Sequence, residues 1–153
     1  MNAKFNLVPA AIDTIAAKDK DGILHALSGL FARSYALDPA LVLDALEERE
    51  QLGSTGFGRG VALPHARIDG INRPVAAVLR LTSPVDFRAA DAMPVDMVIG
   101  LLSPANSGAT HLHALAAISR MVRDDERHAA LMDAADDDAL YAMLTNAIDR
   151  DAA

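Results

Sequence analysis

The chain contains no cysteine, which excludes disulfides, a catalytic thiol and cysteine-ligated zinc or iron–sulfur sites. Tryptophan is also missing and aromatic residues make up only 4% of the sequence, so the platforms on which bases or sugars usually stack have no material. No cluster of lysine or arginine offsets a formal net charge of −7. That balance argues against nucleic acid and against an anionic membrane surface as partner, and for a basic or apolar one. No apolar run reaches transmembrane length, and the first residues lack the charged-then-apolar pattern of a signal peptide. The expectation is a cytoplasmic protein with no membrane insertion. Internal repeats, low-complexity tracts and linkers are absent from the sequence as well.

What the chain does contain is ample apolar material: hydrophobic residues are 52% of 153, enough for one compact domain over 1–153 with a real core. Asp19 is a natural N-cap for a helix to about Ser34, in which Ile23, Leu24, Leu27, Leu30 and Phe31 share one face and His25 points to solvent. Asp38-Pro39 opens a second helix to about Gln51, with proline at the first position, where its missing N–H costs nothing. Ala11–Ala17 offers a short edge strand. Val75–Thr82 reads as a strand, followed by a turn-like segment from Pro84 to Pro94. Val95–Leu102 is almost continuously apolar, as a central strand covered on both faces should be. Asp124-Asp-Glu126 and Asp136-Asp-Asp138 read as acidic starts of two further helices that complement the helix dipoles, with His128 on the surface of the first. Strands separated by helices or longer connections indicate an α/β layered domain.

One stretch stands apart from this ordinary patterning: Gly53-Ser-Thr-Gly-Phe-Gly-Arg-Gly-Val-Ala-Leu-Pro-His65-Ala-Arg67. Its glycines allow tight turns, positive φ and close approach of another molecule. Val61–Leu63 reads as a short buried strand that Pro64 ends, which leaves His65 at a strand end. No acidic residue falls between Glu50 and Asp69, and Arg49, Arg59 and Arg67 lie in or beside that gap. Such a neighbourhood suits an anion held next to an imidazole. A dinucleotide fingerprint would need a helix opening directly after the glycines, and here a strand and Pro64 follow instead. The plainer alternative is a turn-rich connection whose histidine is incidental.

Two other positions bear on the same place. Arg49 follows Ala45 by four residues and Leu46 by three, which puts its guanidinium on the inward side of the second helix. It either snorkels at the helix end, favoured by the dipole, or reaches the pocket of His65. After the central strand, Ser103–Ala109 reads as a loop and Thr110 as the cap of a helix running from His111 to about Arg123. Ligand sites of open α/β sheets gather at strand ends and helix N-termini, so His111 in a first turn is well placed to bond an anion. His113 lies two residues on, about 200° around the helix, and faces the other way.

The segment from Arg49 to Arg67 resembles the phosphorylation-site region of the fructose/mannitol-type enzyme IIA domains of the phosphoenolpyruvate-dependent phosphotransferase system, and most of all their nitrogen-regulatory branch. The likeness continues through Pro84-Val-Asp-Phe87, Asp91, Pro94-Val-Asp96, Thr110-His-Leu-His-Ala-Leu115 and Leu140-Tyr-Ala-Met-Leu144, and covers the chain from about Asp19 onward. It implies a mixed β-sheet sandwiched between helices. It further implies that His65 accepts a phosphoryl group from an HPr-like (NPr) phosphocarrier, with Arg49 and His111 lining the pocket and no cofactor required. Arg67 stands near a place where the family often carries a basic residue, and His113 has no assignment. A regulator of this kind acts by binding targets such as transporters or kinases in one phosphorylation state.

Three rivals frame that expectation. A sugar-specific enzyme IIA would pass the phosphoryl group to a IIB domain during uptake; a free-standing chain without a IIB-like cysteine favours the regulator. A histidine-based metallohydrolase would need His65, His111 and His113 as three zinc ligands, which the helical spacing of the last two opposes. A pure interaction protein of the same fold would have an unphosphorylated His65.

Overall fold

The computed structural model describes residues 4–152, with side chains through Ile148; residues 1–3 and 153 of the expected 1–153 domain lie outside the described residues. Strand β1 (Ile12–Ile15) follows a short 3-10 turn, and helices α1 (Lys20–Tyr35) and α2 (Pro39–Gln51) follow β1. Both helices start as their sequences dictate: the Asp19 carboxylate accepts the Gly22 N–H at 2.8 Å, and that of Asp38 accepts the Ala40 N–H at 3.0 Å. Next come β2 (Gly56–Gly58), β3 (Val61–Ala62), β4 (His65–Ile68), β5 (Val75–Val85) and β6 (Val95–Pro104), then α3 (Ala109–Val122), α4 (Asp125–Met132) and α5 (Asp137–Ala152).

The strands form one mixed sheet in the order β1-β5-β6-β3-β2, with β4 lying against β6 in line with β3. β1 runs parallel to β5 at one edge, β5 antiparallel to β6, and β3 and β4 parallel to β6. β6 is therefore the axis of the sheet. Alternate residues serve opposite layers, as the two-residue period of a strand requires. Ala77, Leu79, Val98 and Leu102 pack with Leu27, Phe31 and Leu46 of α1 and α2. Ala76, Val78, Met97, Ile99 and Leu101 pack with Ile118, Met121, Leu140 and Leu144 of α3 and α5. The unbroken apolar run of β6 reflects burial on both faces. Gly100 lies on the first of them, where a Cβ would stand 2.7 Å from the Phe31 ring and 2.8 Å from Leu27, so its missing side chain lets α1 close on the strand.

Several expectations need correction. Pro64 does not end the sheet pairing: β3 and β4 both pair with β6, and His65 opens β4 in register with Leu101. The proline only interrupts the ladder, since its carbonyl still accepts the Leu101 N–H at 2.9 Å. β5 continues through Pro84 to Val85, because the register shifts between Arg80 and Val85 and the proline falls where no ladder donor is needed. Helix α3 begins two residues before His111, at Ala109, capped by Gly108 at φ 55° and not by Thr110. His128 is no free surface residue: its Nε2 lies 2.7 Å from Asp96 Oδ1, joining α4 to the start of β6. His25 is exposed, as its spacing predicts.

Candidate functional site

His65 and Arg67 alternate with the buried Ala66 and Ile68 along β4, a strand with a sheet neighbour on one side only. Both layers of helices reach this place. An open pocket of about 510 Å³ is lined by Arg49 and Leu52 from the end of α2, by His65 and Arg67, and by His111 and Leu112 from the first turn of α3. Arg49 thus lies where the sharper of its two sequence readings put it. Its Nη1 donates to the Gly53 carbonyl at 2.9 Å, and among the described residues no carboxylate pairs with it. The guanidinium therefore keeps donors and charge for an anion.

The two imidazoles face each other with ring centroids 5.7 Å apart and planes at 45°. His65 Nδ1 is 2.7 Å from the Leu63 carbonyl oxygen. A carbonyl only accepts, so Nδ1 carries the proton and the lone pair belongs to Nε2. His111 is buried, and its Nδ1 lies 2.6 Å from the hydroxyl of Ser103, itself fully buried on β6. A hydroxyl can donate as well as accept. When Ser103 donates to Nδ1, His111 presents an Nε2–H to the pocket.

Burial holds the His65 pKa below the usual histidine value, against the raising effect of its bond to Leu63, with the charge of Arg49 lowering it further and that of Glu50 opposing. His111 is pushed down to about 4, by burial first and then by the charges of Arg67 and His65. Both rings are neutral at pH 7. His111 is thus a neutral ring, and it is a donor toward the pocket when Ser103 donates to its Nδ1.

Other expectations divide. His113 is exposed while His111 is buried, so the two face opposite ways and a three-histidine ligand set does not assemble. Arg67 lines the pocket and donates to the Gly108 carbonyl at 3.3 Å, joining β4 to the cap of α3. Arg59 does not belong here. Its Nη1 donates to the Arg123 carbonyl at 3.1 Å and lies 3.8 Å from Asp125, which ties the glycine hairpin to α4. Gly60 in that hairpin has φ 87°, and a Cβ there would stand 2.8 Å from His128, so only glycine fits the turn. Ser103 was not foreseen as a partner, since it reads as loop and turns out to be the inward-facing penultimate residue of β6. Exposed Leu52 and Leu112 border the imidazoles and form an apolar rim that the helical pattern of neither helix foretells.

Among the described residues no helix is long and apolar enough to cross a membrane, and no group of three or more histidines or carboxylates could hold a metal. The pattern of the family described as "Phosphoenolpyruvate-dependent sugar phosphotransferase system, EIIA 2" matches residues 10–147. The chain is 38% identical over 128 residues to the "Nitrogen regulatory protein" of Pseudomonas aeruginosa, covering 83% of each. It is 34% identical over 116 residues to the "PTS system fructose-specific EIIA component" of Haloferax volcanii, covering 75% of each. The crystal structure of the nitrogen regulatory protein IIA-Ntr from Neisseria meningitidis superposes with a TM-score of 0.84 at 32% identity, covering 90% of this chain and 95% of that one. On the matched pattern, these relatives and the shared fold, the chain belongs to the EIIA 2 family of the phosphoenolpyruvate-dependent sugar phosphotransferase system.

Proposed function

We propose that this protein is a nitrogen-regulatory enzyme IIA of the cytoplasm, phosphorylated at Nε2 of His65 by an HPr-like (NPr) phosphocarrier, and that it acts by binding target proteins in one phosphorylation state. The observation that carries the reading is the bond from His65 Nδ1 to the Leu63 carbonyl, which turns a neutral Nε2 lone pair toward a pocket holding Arg49 and His111.

The lone pair on Nε2 attacks the phosphorus of the carrier's phosphohistidine, a new N–P bond forms, and the old N–P bond breaks with its electron pair left on the carrier's ring. The His65 ring then bears positive charge, which the Leu63 carbonyl stabilises through Nδ1–H. That same charge keeps the phosphoryl group transferable. Transfer between like nitrogens has little net driving force, so rate depends on alignment and on neutralising the equatorial oxygens. Arg49 supplies a fixed charge for them and His111 Nε2–H a neutral donor. The added group brings about two negative charges between exposed Leu52 and Leu112, enough to change which partner the rim accepts without moving the fold.

The test is the intact mass after incubation with phosphoenolpyruvate, enzyme I and an HPr-type carrier, beside His65→Ala. An acid-labile gain of one phosphoryl group in the wild type alone is expected. No gain with working carriers would leave a pure binding protein. The likeness to the fructose-specific component of Haloferax volcanii favours a second reading, a sugar-specific enzyme IIA relaying the group to a IIB component. Rapid discharge of the labelled protein to a fructose- or mannitol-type IIB domain would select it.

A further inference from the structure

The tautomer of His65 rests on a single carbonyl, and the position of that carbonyl rests on a chain of bonds that begins at Glu50. Glu50 is the next residue after Arg49, near the end of α2, and its side chain is almost wholly buried, 6% exposed. It is the centre of a small cluster. Lys20 Nζ, from the first residue of α1, lies 2.8 Å from Oε2 and also sits 4.5 Å above the centre of the buried Phe87 ring. The Thr55 N–H points at the same carboxylate, at 3.0 Å from Oε2, and the Thr55 hydroxyl donates to Oε1 in a short bond. Thr55 is buried too. A buried carboxylate is costly unless charge and hydrogen bonds meet it. Here an ammonium, a hydroxyl and an amide all do.

The cluster does not stop at Thr55. The Thr55 carbonyl accepts the Leu63 N–H at 2.9 Å, and the Leu63 carbonyl accepts Nδ1–H of His65 at 2.7 Å. Each link crosses from one segment to the next: α1 to α2, α2 across the turn at Gly53 to Thr55, Thr55 to Leu63, and Leu63 to the ring. Leu63 and Pro64 are the two residues at which the sheet ladder along β6 is interrupted between β3 and β4. The carbonyl that orients His65 therefore sits where the sheet holds the backbone least, and the bond from Thr55 holds the same residue from the other side.

We infer that Glu50 is a positioning residue for the proposed transfer: by gripping Lys20 and Thr55 it fixes the Leu63 carbonyl, and thereby the tautomer and orientation of His65. This rests on the reading of His65 as acceptor. Glu50 does not line the pocket and takes no part in the bond changes. Sequence alone would class it as one more acidic residue of α2, because its partners, Lys20 and Thr55, lie outside that helix.

The variant to make is Glu50→Gln, which keeps length and one acceptor for Thr55 while removing the charge that holds Lys20. Asp44→Asn, an exposed carboxylate loss on the same helix, serves as control. Two quantities are read: the single-turnover rate of phosphoryl transfer from the phosphorylated carrier between pH 7 and 8.5, and the 15N shifts of the His65 ring. In the wild type and the control, the shifts should show Nδ1–H with an unprotonated Nε2. In Glu50→Gln the tautomers should mix and the rate fall by about 10-fold across the whole range, since small displacements of a nucleophile cost at least that much. Loss of a distant negative charge alone would instead leave the rate in this range, which lies above the lowered His65 pKa, unchanged. An unchanged rate with an intact Nδ1–H signal would overturn the inference. Should Glu50→Gln unfold, Thr55→Val removes the hydroxyl link only and is read in the same way, with a smaller loss expected. Failure of the wild type itself to take up phosphate would instead strike the acceptor reading, which keeps the two outcomes apart.

Discussion

The two histidines of the pocket are bonded through the same ring atom to different kinds of oxygen, and that difference assigns them different chemistry. His65 Nδ1 meets a main-chain carbonyl, which has no proton to give, so its Nε2 is fixed as a lone pair. His111 Nδ1 meets a serine hydroxyl, which can give one, so its Nε2 is free to be a donor. On the proposed reading, one ring attacks the phosphorus and the other holds an oxygen of the same group. Burial lowers the pKa of both, and the proposed attack requires His65 to be neutral. Two imidazoles in a pocket do not specify a function by themselves; the partner of the far nitrogen does.

The largest loss should follow removal of the groups that, on the proposed reading, face the phosphoryl oxygens. Arg49→Ala or His111→Ala should slow transfer from the carrier by about 10²-fold in single-turnover measurements, the typical effect of deleting one transition-state donor, while leaving His65 able to be labelled. Full-rate transfer in both variants would show that the oxygens are held elsewhere. A milder loss is expected from Ser103→Ala, which deletes the hydroxyl that meets His111 Nδ1. Loss of one buried hydrogen bond, on the order of 1–2 kcal/mol, should appear as roughly 10-fold in rate, and Ser103→Thr should recover most of it. An effect of Ser103→Ala on folding stability with none on rate would mean that the serine only fills space.

The same pair predicts a sensitivity to acid. Both pKa values are depressed, so between the ordinary histidine value of 6.5 and the folded values the unfolded chain binds more protons than the native one. Their contribution to stability is complete above pH 6.5 and is lost as pH falls through the folded values, about 4 for His111. The urea midpoint of the wild type should therefore drop further between pH 7 and pH 4.5 than that of His111→Gln, which cannot take up the proton. Equal drops would show that His111 titrates normally in the native state.

Much of this was legible in the sequence, and the reasons are local. Asp19 and Asp38-Pro39 announce their helices because capping is decided within four residues, and β6 announces its central place because both its faces are apolar. Arg49, His65 and His111 could each be picked out, the histidine by its glycine-rich surroundings and the others by their place near helix ends. What escaped was set by non-local pairing. Pro64 looks like a terminator until β6 is seen to pair on both sides of it, and Thr110 looks like a cap until Gly108 takes the positive φ that opens α3 earlier. Arg59 shares the acid-free gap with Arg49 and Arg67, yet the hairpin turns it toward α4. Ser103 and Glu50 have no sequence signature, since each bears on the site only through residues of another element: His111 for Ser103, and Lys20 and Thr55 for Glu50.

The least effect belongs to His113, and it sharpens the contrast between neighbours on one helix. His113 stands two residues after His111, carries the same ring, and is exposed where His111 is buried. Residues two apart on a helix lie about 200° from one another, so no small rotation of α3 could bring both to the pocket. His113→Ala should therefore leave the transfer rate within error of the wild type under the conditions in which His111→Ala slows it about 10²-fold. A comparable slowing in both would mean that α3 presents another face to the incoming carrier. Slowing accompanied by stoichiometric zinc, lost on His65→Ala, would return the three-histidine metal site that this helical phase argues against.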